Sequence, residues 1–208
     1  MTARIERLVT SGTFSLDGQD FDVDNNVWLV GDDDEVLGVD AAHDAAAIAA
    51  AVGDRRLLGV VATHGHNDHI NAAIDVSAGD ESPVYLHPAD RMLWDVVHPD
   101  VAPRPLENGQ TLTVAGLELT VLHTPGHSPG AVCLHAPELE TVLTGDTLFR
   151  GGPGATGRSF SSFPTILDSI RTRLLTLPPS TTVLTGHGDP TTIGDEAPDY
   201  ESWVARGH

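Results

Sequence analysis

Leu57-Leu58-Gly59-Val60-Val61-Ala62-Thr63-His64-Gly65-His66-Asn67-Asp68-His69 is the stretch whose reading decides the fold. The apolar run Leu57–Ala62 reads as a buried strand, and it feeds directly into three histidines and an aspartate. Side chains of an extended segment alternate with a period of two, so His64 and His66 share a side and can reach one cation. Where the chain then turns into a helix, Asp68 and His69 become neighbours on the curve and can address a second cation close by.

Further along, the same phrasing recurs. His127 follows the apolar run Leu117–Leu122, Asp146 follows Val142–Leu143, and His187 follows Val183–Leu184. Strand ends are where a sheet brings distant sequence to one point, and His64, His66, His69, His127 and His187 with Asp68 and Asp146 are donors enough for two metal ions. On this reading His127 completes the first ion's shell, His187 joins Asp68 and His69 on the second, and Asp146 bridges ions roughly 3.5–4 Å apart. Imidazole and carboxylate favour Zn²⁺, with iron or manganese allowed. The pentapeptide Thr-Val-Leu-Thr-Gly precedes both Asp146 and His187, so two strands end in a glycine that lets the backbone pass near the site.

Composition narrows the partners. Eleven basic residues, all Arg, stand against 30 acidic ones, for a formal charge of −19. Nucleic acid and anionic membranes are bound through basic surface, so both are disfavoured and a small-molecule substrate is expected. Asp32-Asp33-Asp34-Glu35 reads as a solvated hairpin tip. The single cysteine, Cys133, lies in an apolar stretch and is read as a buried hydrophobe. No apolar core marks Met1–Gly12 as a signal peptide and no run reaches membrane-spanning length, so a cytoplasmic protein is expected. No linker divides positions 1–208, so one domain is expected; composition leaves the oligomeric state open.

Strands are predicted near Ile5–Leu8, Asn26–Val30, Val36–Val39, Leu57–Ala62 and Val84–Leu86, with helices over Asp44–Val52, Asp68–Val76 and Ala89–Val97. After Pro105 a β-meander is predicted through Thr111–Val114, Leu117–Leu122, Ala131–Leu134 and Thr141–Leu143. Phe163, Ile166, Leu167, Ile170 and Leu174 fall on one helical face, with Pro164 suited to the first turn and Pro178 preventing continuation. Thr182–Leu184 reads as strand and Ala197–Ala205 as a closing helix. Two strand groups with interspersed helices imply two sheets packed face to face and covered outside. His43, His87, His98, His123, His135 and His208 are read as surface or core histidines, and Trp28, Trp94 and Trp203 as packing aromatics. The turn Gly12–Asn25 and the Gly-rich loop Arg150–Phe163 are expected to recognise substrate, with Arg150 and Arg158 as candidate carboxylate contacts.

Taken together, the His64–His69 phrase, Thr124-Pro125-Gly126-His127, Thr144-Gly145-Asp146 and Gly186-His187 resemble the metallo-β-lactamase superfamily over most of the chain. The resemblance implies an α/β fold, the αβ/βα four-layer sandwich, with a dimetal site at one edge of the sheets. It implies that Asp40 matches the family's aspartate behind the metal ligands, although Ala41-Ala42 follow it where a glycine is common. Within the superfamily the chain is similar to glyoxalase II, with only 21 residues after His187 in place of the additional helical region. The implied function is hydrolysis of a small acyl thioester, a glutathione, mycothiol or bacillithiol conjugate, by a metal-bridging hydroxide, with Asp68, Asp146 and Asp40 in the catalytic apparatus. A mononuclear iron persulfide dioxygenase, and a lactonase or other small-ester hydrolase, are the alternatives that share these motifs.

Overall fold

In the computed structural model, which describes residues 2–78 and 82–207, the chain opens with β1 (Arg4–Leu16) and β2 (Gln19–Gly31). They are joined at Asp17 and Gly18, whose φ angles of 53° and 73° are those an Asp-Gly pair supplies to a tight hairpin. β3 (Glu35–Val39) pairs antiparallel with β2, and α1 (Ala45–Val52), capped by the Asp44 carboxylate, leads to β4 (Arg56–Val61). Then come α2 (Asn67–Ile70), α3 (Ala73–Ala78), β5 (Val84–Leu86), α4 (Arg91–Val97) and β6 (Arg104–Pro105). The first sheet has the order β1-β2-β3-β4-β5-β6, its last four strands parallel.

The second half starts as an antiparallel meander, β7 (Thr111–Val114), β8 (Leu117–His123), β9 (Val132–Ala136) and β10 (Thr141–Gly145). A small hairpin, β11 (Leu148–Phe149) with β12 (Gly152–Pro153), and α5 (Phe163–Ser169) carry the chain to β13 (Thr182–Thr185), which lies parallel to β10. β14 (Thr191–Thr192), α6 (Ile193–Glu196) and α7 (Tyr200–Arg206) follow. This second sheet runs β14-β13-β10-β9-β8-β7.

Alternation along the strands sorts the apolar residues into three cores, and that sorting makes the four layers. Trp28, Val30, Val39 and Val61 face Leu119, Val132, Leu134, Leu143 and Leu184 between the sheets. Their neighbours in sequence, Val27, Leu29 and Val60, point the other way, against Ile48, Ile70, Val76 and Trp94 of the outer helices. Cys133, Val142 and Val183 pack on Ile166, Ile170, Leu174 and Trp203 on the opposite outside. The αβ/βα sandwich read from sequence is the observed architecture, and Cys133 is a buried free thiol within it.

Several local expectations are corrected. Gly12–Asn25 is no turn: β1 and β2 stay paired from Arg4↔Gly31 to Leu16↔Gln19, so it is a hairpin reaching beyond the sheet. The helix expected over Asp68–Val76 breaks into α2 and α3 where the Ala72 amide turns to Ala41 O (3.1 Å); the Asn71 amide still closes the last turn of α2 on Asn67 O (2.9 Å), and its side chain bonds His43. The amphipathic helix from Phe163 widens into a π turn over Ile170–Leu174. His208 lies outside the described residues.

Candidate metal centre

Both sheets end at one point. β4 delivers Thr63 and His64, α2 carries Asp68 and His69, the loop after β8 brings His127, and β10 and β13 release Asp146 and His187. His64, His66 and His127 offer donor atoms within 4.8 Å of one another; so do His64, His69 and Asp146, and so do Asp68, His69 and His187. The rings of His64, His66 and His127 are mutually edge-on at 4.7–4.8 Å between centroids. Asp146 lies between the groups, with Oδ1 3.5 Å from His69 Nε2 and Oδ2 3.6 and 3.4 Å from Nε2 of His127 and His187. All seven residues proposed as ligands from sequence are therefore assembled in one place.

Outer hydrogen bonds decide which nitrogen each imidazole presents. Nδ1 of His69 donates to Asp40 Oδ2 (3.0 Å), that of His127 to Ala155 O (2.8 Å), that of His187 to Asp24 O (2.8 Å), and that of His64 to Thr63 Oγ1 (3.1 Å). Each turns its Nε2 inward, the nitrogen these rings would present to a metal. Inside, nitrogen meets nitrogen: His64 Nε2 and His127 Nε2 each stand 3.0 Å from His66 Nδ1, and His69 Nε2 lies 3.2 Å from His187 Nε2. Asp68 Oδ1 and Asp146 Oδ1 are buried without any hydrogen-bond partner. Converging lone pairs and orphaned carboxylate oxygens are reconciled by cations placed among them, so the donor set suits divalent metal ions.

The same crowding divides the centre electrically. Burial, reinforced by His127, pushes His66 down to about 3, and burial with the neighbouring imidazoles holds His64 well below its ordinary value. For His187 burial acts downward too, but the Asp146 carboxylate and its hydrogen bond outweigh it and raise the group to about 10. His69 is likewise raised, against burial, by Asp68, Asp146 and Asp40. Asp68 sits at about 2: burial pushes it up, and His69 and His187 more than compensate.

Asp40 belongs to none of the donor groups. It ends β3 at φ 56° and accepts from the Thr63 amide (2.7 Å), from Thr63 Oγ1 (2.8 Å) and from His69, so it orients a ligand from behind. Gly186 is the close approach that the repeated pentapeptide suggested: a Cβ there would stand 2.3 Å from Asp146 Oδ1. The His64–His66 segment, read as continuing strand, is instead an irregular bend after β4. Asn25, which sequence reasoning missed, donates from Nδ2 to Asp68 Oδ2 (3.0 Å), and its own oxygen accepts from His43 (2.9 Å). No sequence pattern marks an Asn whose partners lie 18 and 43 positions away.

Arg158 and Arg150 part company. A pocket of about 50 Å³ opens beside His66 and His127 between Phe14 and Leu16 of β1 and Ala155, Arg158, Ser159 and Ser161. The Arg158 guanidinium lies 4.9 Å over the Phe21 ring and donates to Gln19 Oε1 (2.9 Å), while Ser159 Oγ donates to Asp17 (2.8 Å). Arg150 is exposed at the turn between β11 and β12 and does not line that pocket.

A family model described as the metallo-beta-lactamase superfamily matches residues 21–187, most of the chain and every one of these donors. The chain belongs to the metallo-β-lactamase superfamily. Among its relatives, it is 33% identical over 186 residues to the probable metallo-hydrolase YqgX of Bacillus subtilis, covering 81% of this chain and 87% of that one. It is 34% identical over 158 residues to the hydroxyacylglutathione hydrolase GloC of Haemophilus influenzae, covering 69% and 74%. The crystal structure of TTHA1623 in a di-iron-bound form superposes with a TM-score of 0.75 at 32% identity, over 90% of this chain and 96% of that one. As a superfamily member the chain is a metallo-hydrolase with a His/Asp centre for divalent metal. Among the described residues no helix is long and apolar enough to cross a membrane.

Proposed function

We propose that this metallo-hydrolase is dinuclear and cleaves a small acyl thioester, a hydroxyacylglutathione or its mycothiol or bacillithiol counterpart, in the cytoplasm. The observation that carries the reading is the pair of donor groups on either side of Asp146, with one oxygen each of Asp68 and Asp146 left without a partner. The identity to GloC supports the thioester, and the di-iron form of TTHA1623 supports a pair of ions. His64, His66 and His127 would hold one ion, Asp68, His69 and His187 the other, with Asp146 between them. Zinc is favoured by the ligand types, and iron and manganese suit the same donors. When bound, such ions lower the pKa of water toward about 7 and polarise an acyl carbonyl.

The chain's own residues do the rest. Asp40 and Asn25 hold His69 and Asp68 in place from behind. Phe14, Leu16 and Ala155 keep water from the space beside His66 and His127, where an acyl group can lodge. The Arg158 guanidinium, which gives one N–H to Gln19, has further donors at its rim for the polar groups of a thiol carrier, and the Ser159 hydroxyl, its proton given to Asp17, can accept there. A thiolate departs readily, so the absence of a dedicated acid among the described pocket residues suits this substrate. The −19 charge supports a small molecule over nucleic acid as the partner.

Metal analysis of unsupplemented protein, paired with S-lactoyl and S-formyl conjugates of the three thiols and a set of lactones, tests the proposal. Two ions per chain and oxygen-independent thioester cleavage are expected. One iron per chain with thiol-dependent oxygen uptake would overturn it in favour of the dioxygenase, and turnover of lactones alone would move the substrate class.

A further inference from the structure

Asp90 is fully buried, lies outside the donor cluster, and accepts three hydrogen bonds. The Gly65 amide donates to Oδ2 (2.8 Å), Ser128 Oγ donates to the same oxygen (2.6 Å), and the Gly130 amide donates to Oδ1 (2.5 Å). Gly65 separates His64 from His66, and Ser128 follows His127. One carboxylate thus ties together the two segments, one from each sheet, that carry the first donor group.

The surroundings are shaped for it. A Cβ on Gly130 would stand 2.7 Å from Asp90 Cγ, and one on Gly65 would stand 2.8 Å from Leu93 Cβ and 3.1 Å from Asp90 Cβ. Both segments press against this side chain as only glycine allows. Behind it, the Asp90 amide donates to His87 O (3.0 Å), and the Ala89 amide donates to His87 Nδ1 (3.3 Å), fixing the carboxylate at the head of α4. The second donor group has no bond to Asp90; Asn25, Asp40 and Asp24 serve it instead.

We infer that Asp90 is the positioning residue for one of the two metal sites: it sets the spacing of His64, His66 and His127 and leaves Asp68, His69 and His187 untouched. This rests on the dinuclear reading above. Residues behind metal ligands typically change affinity by about 10- to 100-fold when altered. Asp90→Asn keeps the size but meets at least one donor with an amide N–H.

The test is titration of the metal-free protein with Zn²⁺ against a chromophoric chelator, and with Co²⁺ followed by its visible spectrum. His127→Ala identifies the uptake step that belongs to the first donor group. Asp90→Asn should weaken that same step by about 10- to 100-fold and alter its Co²⁺ spectrum, with the other step unchanged. Ser128→Ala, which removes a single donor and keeps the carboxylate, should weaken the same step by less, and it carries the test if Asp90→Asn fails to fold. Asn25→Ala should weaken the other step. A folded variant with both steps intact, or with both weakened alike, overturns the inference. Should the wild-type chain take up one ion, the dinuclear reading fails; Asp90 keeps its role if Asp90→Asn weakens that ion together with His127→Ala, and loses it otherwise.

Discussion

Gly186→Ala probes the site through its tightest packing. A Cβ at this position would stand 2.3 Å from Asp146 Oδ1 and 2.8 Å from His69 Cε1, where real Cβ contacts essentially never fall below 3.0 Å. The shortfall for the carboxylate is about 0.7 Å, more than three times the roughly 0.2 Å by which metal–ligand distances vary. Rotation offers no escape, because Nε2 atoms of His69, His127 and His187 crowd Asp146 at 3.4–3.6 Å. Displacing the carboxylate between the donor groups should exceed the effect of altering a residue behind a ligand, so zinc affinity should fall by more than about 100-fold. Overpacking itself costs about 1–3 kcal/mol, which lowers the melting temperature of a chain this size by roughly 2–12 °C and leaves it folded. Chelator-competition titration and a thermal melt of the same preparation measure both quantities. Gly18→Ala is the control: its added Cβ meets nothing within 4 Å, and only its φ of 73° is strained, so it should lose about 1–2 kcal/mol with full metal uptake. A folded Gly186→Ala chain that takes up zinc as the wild type does would refute the placement of Asp146.

Asp40→Ala leaves the Thr63 amide and the outer nitrogen of His69 without acceptors, so urea denaturation of metal-free protein should show a loss of about 2–5 kcal/mol, and zinc affinity should drop about 10- to 100-fold; unchanged uptake would remove Asp40 from the site's support. Asp17→Ala breaks the Ser159 contacts that hold the hairpin tip to the loop at the pocket rim, and steady-state kinetics should show KM for the thioester rising severalfold with metal content intact; a changed metal content would mean the clasp reaches the donors. His87, lowered by burial and by the stacked His123 ring to about 4, is protonated more readily in the unfolded chain, so its contribution is lost as pH falls from about 6.5 toward 4. His87→Asn should therefore gain stability relative to wild type between pH 7 and pH 4.5 in urea titrations, and a constant difference across that range would contradict the assignment.

What could be read in advance was whatever the chain encodes locally. The six residues His64–His69 carry four donors because one strand end and one helical turn set their directions, and the runs before His127, Asp146 and His187 announce strands by their own apolarity. Asp90 and Asn25 carry no such signal: each matters only for what the tertiary fold brings to it. The β1–β2 hairpin is written in the alternation of its residues, against the turn expected over Gly12–Asn25. Phe14, Leu16, Phe21 and Val23 alternate with the polar Thr13, Ser15, Asp20 and Asp22, a period of two centred on Asp17-Gly18. The expected turn over Gly12–Asn25 gives way to strands because the strands there cover a site rather than a hydrophobic core.

That cover explains how seven donors from two sheets hold their register. β2 is tied to the second sheet where the Asn26 amide donates to Gly186 O (2.7 Å) and His187 Nδ1 to Asp24 O, beside the last two ligand-bearing strand ends. β1 is tied to α2 where the Ser15 amide donates to Asn67 Oδ1 and Asn67 Nδ2 to Thr13 O (both 2.8 Å), beside Asp68 and His69. The hairpin therefore spans the junction of the two halves, and Asn25 reaches from its inner face to Asp68. A bound ion would span the same junction, since each donor group of His64, His66 and His127 or Asp68, His69 and His187 draws on both sheets. Metal uptake and sheet packing are in this way one equilibrium: ions that bind only the assembled sheets stabilise that assembly by mass action, and whatever holds the sheets in register raises the affinity for the ions.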